Sequence, residues 1–115
     1  MKIAIVGSRT FDNYATLENW ILSHVAVESI SLVISGGASG ADTLGEQFAK
    51  KYNIPTKVIR PDWATYGKSA GIVRNAEIVK ECEACFIFWD GLSRGTKSNI
   101  DLCQRYEKPH YICRF

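Results

Sequence analysis

Val33-Ile34-Ser35-Gly36-Gly37-Ala38-Ser39-Gly40-Ala41-Asp42 reads as a buried strand that runs straight into a glycine turn and then a helix. Gly36 and Gly37 follow the apolar run where a strand must bend sharply, and Gly40 stands where a helix begins. Backbone N–H groups there carry no covering Cβ. Such a turn, closed by Ser35 on the strand side, can cradle a phosphate at the helix N-terminus. It can equally be a tight strand-to-helix connection with no ligand. The remainder of the chain has to choose between the two.

Outward from this stretch the same grammar repeats. Lys2 to Val6 is a short β-branched apolar run that stops at Gly7-Ser8-Arg9-Thr10. After Asp12-Asn13, either of which can cap, Leu17, Trp20, Ile21, His24 and Val25 recur at helical spacing. Ser31 to Ser35 is the second strand, and the glycine turn feeds a helix with Ala41, Leu44, Phe48, Ala49 and Tyr52 on one stripe. Thr56 to Arg60 is a third strand, and Pro61 to Ser69 is an aperiodic loop carrying two large rings and a lysine. A helix from about Ala70 to Glu81 turns Ile72, Val73, Ala76 and Val79 inward. Ala84 to Trp89 is a nearly continuous apolar fourth strand, and Asp90-Gly91-Leu92-Ser93-Arg94-Gly95-Thr96 repeats the strand, glycine loop and helix start. A helix with Ile100, Cys103 and Tyr106 leads to a last strand, His110 to Cys113.

Strands alternating with helices, and apolar throughout rather than at every second residue, imply an α/β fold. The expected form is a five-stranded, mostly parallel sheet covered by helices on both faces through right-handed crossovers. At 115 residues the chain is expected to form one domain, 1–115. Ligands in such sheets bind beyond the carboxyl ends of the strands, where the order reverses. The loops after strands one to four all emerge on that side, and they are the polar, glycine-rich ones.

Bulk properties narrow the function classes. With 46% hydrophobic and 23% charged residues the composition is ordinary for a globular protein, and a formal charge of +2 gives no sign of a nucleic-acid or membrane partner. No apolar run approaches the roughly 20 residues of a membrane span, and the first strand is too short for a signal peptide, so a cytoplasmic location is expected. Cys82, Cys85, Cys103 and Cys113 lack the paired spacing of a zinc site, and the Cys82/Cys85 pair straddles a helix end and a strand start rather than opening a helix. We expect buried, reduced thiols, no metal and no cofactor.

At the predicted strand ends the candidates converge. Gly7, Ser8 and Arg9 bring backbone donors, a hydroxyl and a positive fork. Gly36, Gly37 and Gly40 form one anion cradle, and Gly95-Thr96 forms another. Trp63 and Tyr66 can stack on a base, or pack as core or interface rings. Lys68 and Arg74 can neutralise phosphate, Arg74 best because its planar fork meets two oxygens at once. Asp42 is either a first-turn helix cap or a ribose ligand; Asp90 is either a turn-initiating residue or part of the chemistry.

Gly7-Ser8-Arg9-Thr10-Phe11, Ser35 to Asp42, Trp63 with Tyr66-Gly67-Lys68, Ala70-Gly71 with Arg74-Asn75, and Trp89-Asp90-Gly91 with Ser93 and Gly95-Thr96 together resemble the small YspA-type members of the SLOG superfamily. This is the Rossmann-like group named for Smf/DprA and LOG. The resemblance implies a domain that binds a nucleotide or nucleotide-derived ligand at the strand ends, often as a homo-oligomer, and it adds Asn75, Gly91 and Ser93 to the ligand-binding set. LOG phosphoribohydrolases cleave the N-glycosidic bond of a nucleoside monophosphate with an arginine before the fourth strand and a glutamate in a PGGxGTxxE motif. Arg74 matches that arginine, but Asn99 stands where the glutamate would be, and an amide is neither a base nor a charge stabiliser.

Three functions follow. The first is binding, sensing or sequestering of a phosphorylated nucleoside signal such as an ADP-ribose derivative. The second is hydrolysis with Arg74 and Asp90 in catalysis, so enzymatic activity stays open. The third is a nucleic-acid-binding module, the weakest of the three and an improbable partner class on a charge of +2.

Overall fold

The computed structural model describes residues 1–115. Ten elements follow in order: β1 Lys2–Gly7, α1 Tyr14–Leu22, β2 Leu32–Ser35, α2 Ala41–Lys51, β3 Thr56–Val58, α3 Trp63–Tyr66, α4 Ala70–Glu81, β4 Ala84–Trp89, α5 Arg94–Arg105 and β5 His110–Arg114. All strand pairs are parallel, and the strand order is β3-β2-β1-β4-β5. The chain winds outward from β1 to β3, then returns across the sheet to set β4 beside β1. The order therefore reverses between β1 and β4, and the chain leaves their carboxyl ends toward opposite edges of the sheet.

Period-two alternation splits each central strand between two cores. Ile3 and Ile5 of β1 with Phe86 and Phe88 of β4 face α1 and α2, where Leu17, Ile21 and Phe48 meet them. Ala4 and Val6 with Cys85 and Ile87 face α4 and α5, where Ile78, Val79, Ile100 and Cys103 complete the second core. Each fully buried large apolar side chain contributes roughly 1.5–3 kcal/mol through its removal from water. The sheet is thus apolar on both sides, as its continuous hydrophobic strands require.

Several local expectations change. The Pro61 to Ser69 loop contains a helical turn, α3, because the Asp62 carboxylate accepts from the Thr65 N–H at 3.1 Å and caps it. On α4 the inward residues are Ala70, Ile78 and Val79, while Ile72 is 61% exposed and looks outward. β3 is an exposed edge strand rather than a buried one. α1 is capped by Asn13, whose side chain accepts from the Thr16 N–H at 3.1 Å, and it ends at Leu22, where the Ser23 hydroxyl turns back to donate to the Trp20 carbonyl at 2.7 Å. The four cysteines are free thiols. No helix is long and apolar enough to cross a membrane.

Candidate functional site

A cleft of about 790 Å³ opens over the carboxyl ends of the strands. It is lined by five cationic side chains, Arg9, Arg60, Lys68, Arg74 and Arg94, and by no carboxylate. Arg9 comes from the loop after β1, Arg60 from the segment after β3, Lys68 from the turn after α3, Arg74 from α4, and Arg94 from the start of α5. Trp63, 61% exposed, and Ile72 supply the flat apolar part of the wall.

The two glycine turns are fastened together by Arg74. Its Nη1 donates to the Gly36 carbonyl at 2.7 Å and its Nε to Asn75 Oδ1 at 2.8 Å, while Asn75 Nδ2 donates to the Gly95 carbonyl at 3.4 Å. Arg60 likewise donates to the Gly37 carbonyl at 3.4 Å. Several turn amides are spent internally: Gly37 N–H goes to Ser35 Oγ at 3.1 Å, Ala38 N–H to Asp42 Oδ2 at 3.3 Å, and Ala41 N–H to the Ser8 carbonyl at 3.3 Å. The positive potential over this turn therefore comes chiefly from guanidinium groups. A Cβ at Gly36 would sit 2.6 Å from Asp42 Oδ2 and 2.8 Å from Arg74 Nη1, so any larger residue there has to displace those two side chains. Gly40 takes a positive φ of 78° and lies against the Ser8 carbonyl, so it serves the close approach of the two loops.

Behind the cleft, and sharing Arg9, Ala38, Arg74, Asn75 and Gly95 with it, lies an inner chamber of about 80 Å³. Asp42, 4% exposed, lines it. Burial pushes the Asp42 carboxyl up to about 6, against the opposing pull of the Ala38 N–H and the Arg74 charge. Burial also lowers the Arg74 guanidinium, Asp42 raises it and Arg9 lowers it further. Asn99, 6% exposed, lines the same chamber, and its side-chain oxygen has no hydrogen-bond partner. Leaving such a group unmet costs about 1–3 kcal/mol.

Of the ligand residues read from the sequence, Arg9, Gly36, Gly37, Trp63, Lys68, Arg74, Asn75 and Gly95 line the cleft, and Gly7, Asp42, Ser93 and Thr96 line the chamber. The others lie elsewhere. Ser8 accepts from the Asp90 N–H at 3.2 Å and touches the Thr96 hydroxyl at 3.4 Å. Ser35 donates to Glu46 at 2.8 Å. Tyr66 faces a separate hollow beside Asp62, and Gly91 backs onto Arg114. Asp90 lines neither space, and the Ser93 and Leu92 N–H groups, both at 2.8 Å, hold its carboxyl below the usual range. That is the turn-initiating alternative.

Arg60, Arg94, Ile72 and Ser98 line the cleft without having been singled out. Arg60 is the last residue of the third strand as read from the sequence and Arg94 sits inside the second glycine turn, so the same strand-end rule reaches both. Ile72 carries no such signal, because an apolar residue at helical spacing reads as core.

The model of the YspA, cpYpsA-related SLOG family matches residues 1–66. The chain belongs to this SLOG family. The gene 61 protein of Mycobacterium phage D29 is 31% identical over 115 residues, covering 94% of this chain and 92% of that protein. Among solved structures, the SLOG chain superposes on DNA processing protein A from Helicobacter pylori with a TM-score of 0.73 at 21% identity, and on DprA from Streptococcus pneumoniae with 0.77 at 17%. It is covered over 97% and 96% of its length but spans only 64% and 49% of those chains. At such identities the likeness is one of fold.

It nevertheless corrects one expectation. The Helicobacter pylori protein is described in its single-stranded DNA binding mode, so a modest net charge on this fold gives no ground for setting nucleic acid aside. The physical reason is local. A charge of +2 is a sum over the whole chain, and here five cations gather in one cleft while Glu18, Glu81 and Asp101 pair with lysines elsewhere.

Proposed function

We propose that this SLOG domain binds a phosphorylated nucleoside in the cleft, sensing or sequestering a nucleotide signal of the ADP-ribose type. The observation that carries the reading is the lining itself: five cations, no carboxylate, and an exposed tryptophan in one concave site. Phosphate oxygens meet Arg9, Arg74 and Arg94 as charge-assisted hydrogen bonds, and a base lies against Trp63. Asp90 in its turn and Asn99 at the position of the LOG glutamate support binding in preference to cleavage. A cytoplasmic setting goes with four free thiols.

A second reading is single-stranded nucleic acid. The cleft is open and edged by Lys68, Arg60 and Arg94 on separate segments, which suits a chain of phosphates as well as a single one. The likeness to the DprA structures favours it also.

Melting shifts with mononucleotides, NAD, ADP-ribose and cyclic dinucleotides, run beside chromatography of the same mixtures, test the first reading. A shift with intact ligand is expected, and Arg74→Ala is expected to weaken it at least tenfold in Kd, about 1.4 kcal/mol. Released base or ribose phosphate would instead establish a hydrolase. A shift only with single-stranded oligonucleotides would establish the second reading.

A further inference from the structure

The segment between β3 and α4, Pro61 to Ser69, supplies Pro61, Trp63 and Lys68 to the cleft lining and is held in place by very little. Every residue from Asp62 to Ser69 is exposed. Its hydrogen bonds are local. The Asp62 side chain and carbonyl accept from the Thr65 and Tyr66 N–H groups at 3.1 and 3.0 Å, the Trp63 carbonyl accepts from the Gly67 N–H, and the Gly67 carbonyl accepts from the Ala70 N–H. None of these reaches the sheet or either glycine turn, whereas Arg60 and Arg74 on either side of the segment are both bonded to the first turn. A turn with exposed hydrogen bonds and little buried apolar surface opens at small cost in free energy.

Behind the segment there is space. A hollow of about 220 Å³ is lined by Asp62 and Tyr66 from the segment and by Val73, Arg74 and Glu77 from α4, so the segment is not seated tightly on the helix behind it. Its cleft-side groups are unengaged. The indoles of Trp20 and Trp89 donate to the Tyr111 and Ser93 carbonyls, but that of Trp63 has no partner. Lys51, Lys57 and Lys97 each pair with a carboxylate, but Lys68 does not. At the α4 end stands Gly67, with φ 54° and ψ −129°, a conformation that only glycine adopts freely, and no atom lies within 4 Å of the position its Cβ would take. At the other end Pro61 has no N–H with which to be tied.

We propose that Pro61–Ser69 is a lid that closes over an occupied cleft, with Gly67 as one hinge. Closure removes the Trp63 ring from water and brings the Lys68 ammonium onto phosphate, so a phosphorylated ligand favours the closed form by its differential contacts with the two. Release of the ligand then waits for the lid to open. The occupant that closes the lid rests on the phosphorylated-ligand reading of the cleft; the looseness of the lid rests on the segment itself.

The test is amide hydrogen exchange of the intact chain, read residue by residue by NMR, alone and with AMP, ADP-ribose or a short single-stranded oligonucleotide, while melting shifts report which probe binds. In the protein alone, the Thr65, Tyr66 and Gly67 amides are expected to exchange at least about a hundredfold faster than those of Ile78 and Val79 in α4, although all three are hydrogen-bonded. With a bound probe they are expected to slow at least about tenfold. The double variant Trp63→Ala/Lys68→Ala is expected to bind still through the cleft arginines, to release the probe at least about tenfold faster, and to leave the lid amides fast. Lid amides as protected as α4 in the protein alone overturn the proposal whatever the cleft binds. Binding that leaves them fast, or unchanged release from the double variant, overturns the lid and leaves the ligand reading standing. Failure of every probe to bind ends the ligand reading and closure with it.

Discussion

Asp42 has a carboxyl that titrates near 6 because almost none of it reaches water, and it serves as an acceptor for the amide of Ala38 in the first glycine turn. Its folded value lies above its ordinary 3.8, so folding favours the protonated form. The stability this gives is fully present below about pH 3.8 and is lost as pH rises through about 6, a change of roughly 3 kcal/mol across the interval. Arg74, the charged group that acts on it directly, stays protonated throughout. Asp42→Asn keeps an oxygen for the Ala38 amide and removes the titration. Urea unfolding at pH 4 and pH 7 is expected to show the unaltered protein losing stability toward pH 7 and the variant losing much less. Equal slopes would show that the buried carboxyl is solvated through the chamber.

At the scale of elements, the site depends on how closely α2 approaches β1. Gly45 makes that approach possible: a Cβ there would lie 2.7 Å from Ile5 Cγ2, and Ile5 is fully buried in the centre of the sheet. Gly71 on α4 is the opposite case, with no atom within 4 Å of the position a Cβ would take. Gly45→Val is expected to destabilise the fold by at least about 2 kcal/mol through overpacking, and to move the N-terminus of α2 and its glycine turn away from the cleft. Gly71→Ala is expected to stabilise by up to about 1 kcal/mol through helix propensity alone. Chemical denaturation of the two variants side by side checks both, and a neutral Gly45→Val would mean that α2 can slide on the sheet. The same close approach explains why α2 could be placed from its stripe while its glycine could not be interpreted: packing distance is set by the partner strand, which is remote in sequence.

Over the whole molecule, charge is distributed so that a near-neutral chain presents a strongly basic cleft. Lys51, Lys57 and Lys97 are paired with Glu18, Glu81 and Asp101 on the outer helices and edge, and no carboxylate is among the residues that line the cleft with its five cations. Single strands that engage three to five of these cations are expected to bind with log K falling against log salt with a slope of about −2 to −3.5. Fluorescence anisotropy of labelled oligonucleotides from 50 to 300 mM salt measures it, and a slope near zero would exclude phosphate contact as the basis of binding. The sequence by itself determined the alternation of strands and helices, the two glycine turns, Arg74 between them and the SLOG kinship, because each is written in local periodicity or in contiguous residues. Only the tertiary structure decided that β4 lies beside β1, that Arg60 and Arg94 line the same cleft as Arg9, that Ile72 is exposed and Asp90 lies outside that cleft, and that Asn99 is buried with its side-chain oxygen unmet. These depend on strand order and helix rotation, which arise from contacts between residues tens of positions apart, and the first glycine turn becomes part of a basic cleft only when those contacts close around it.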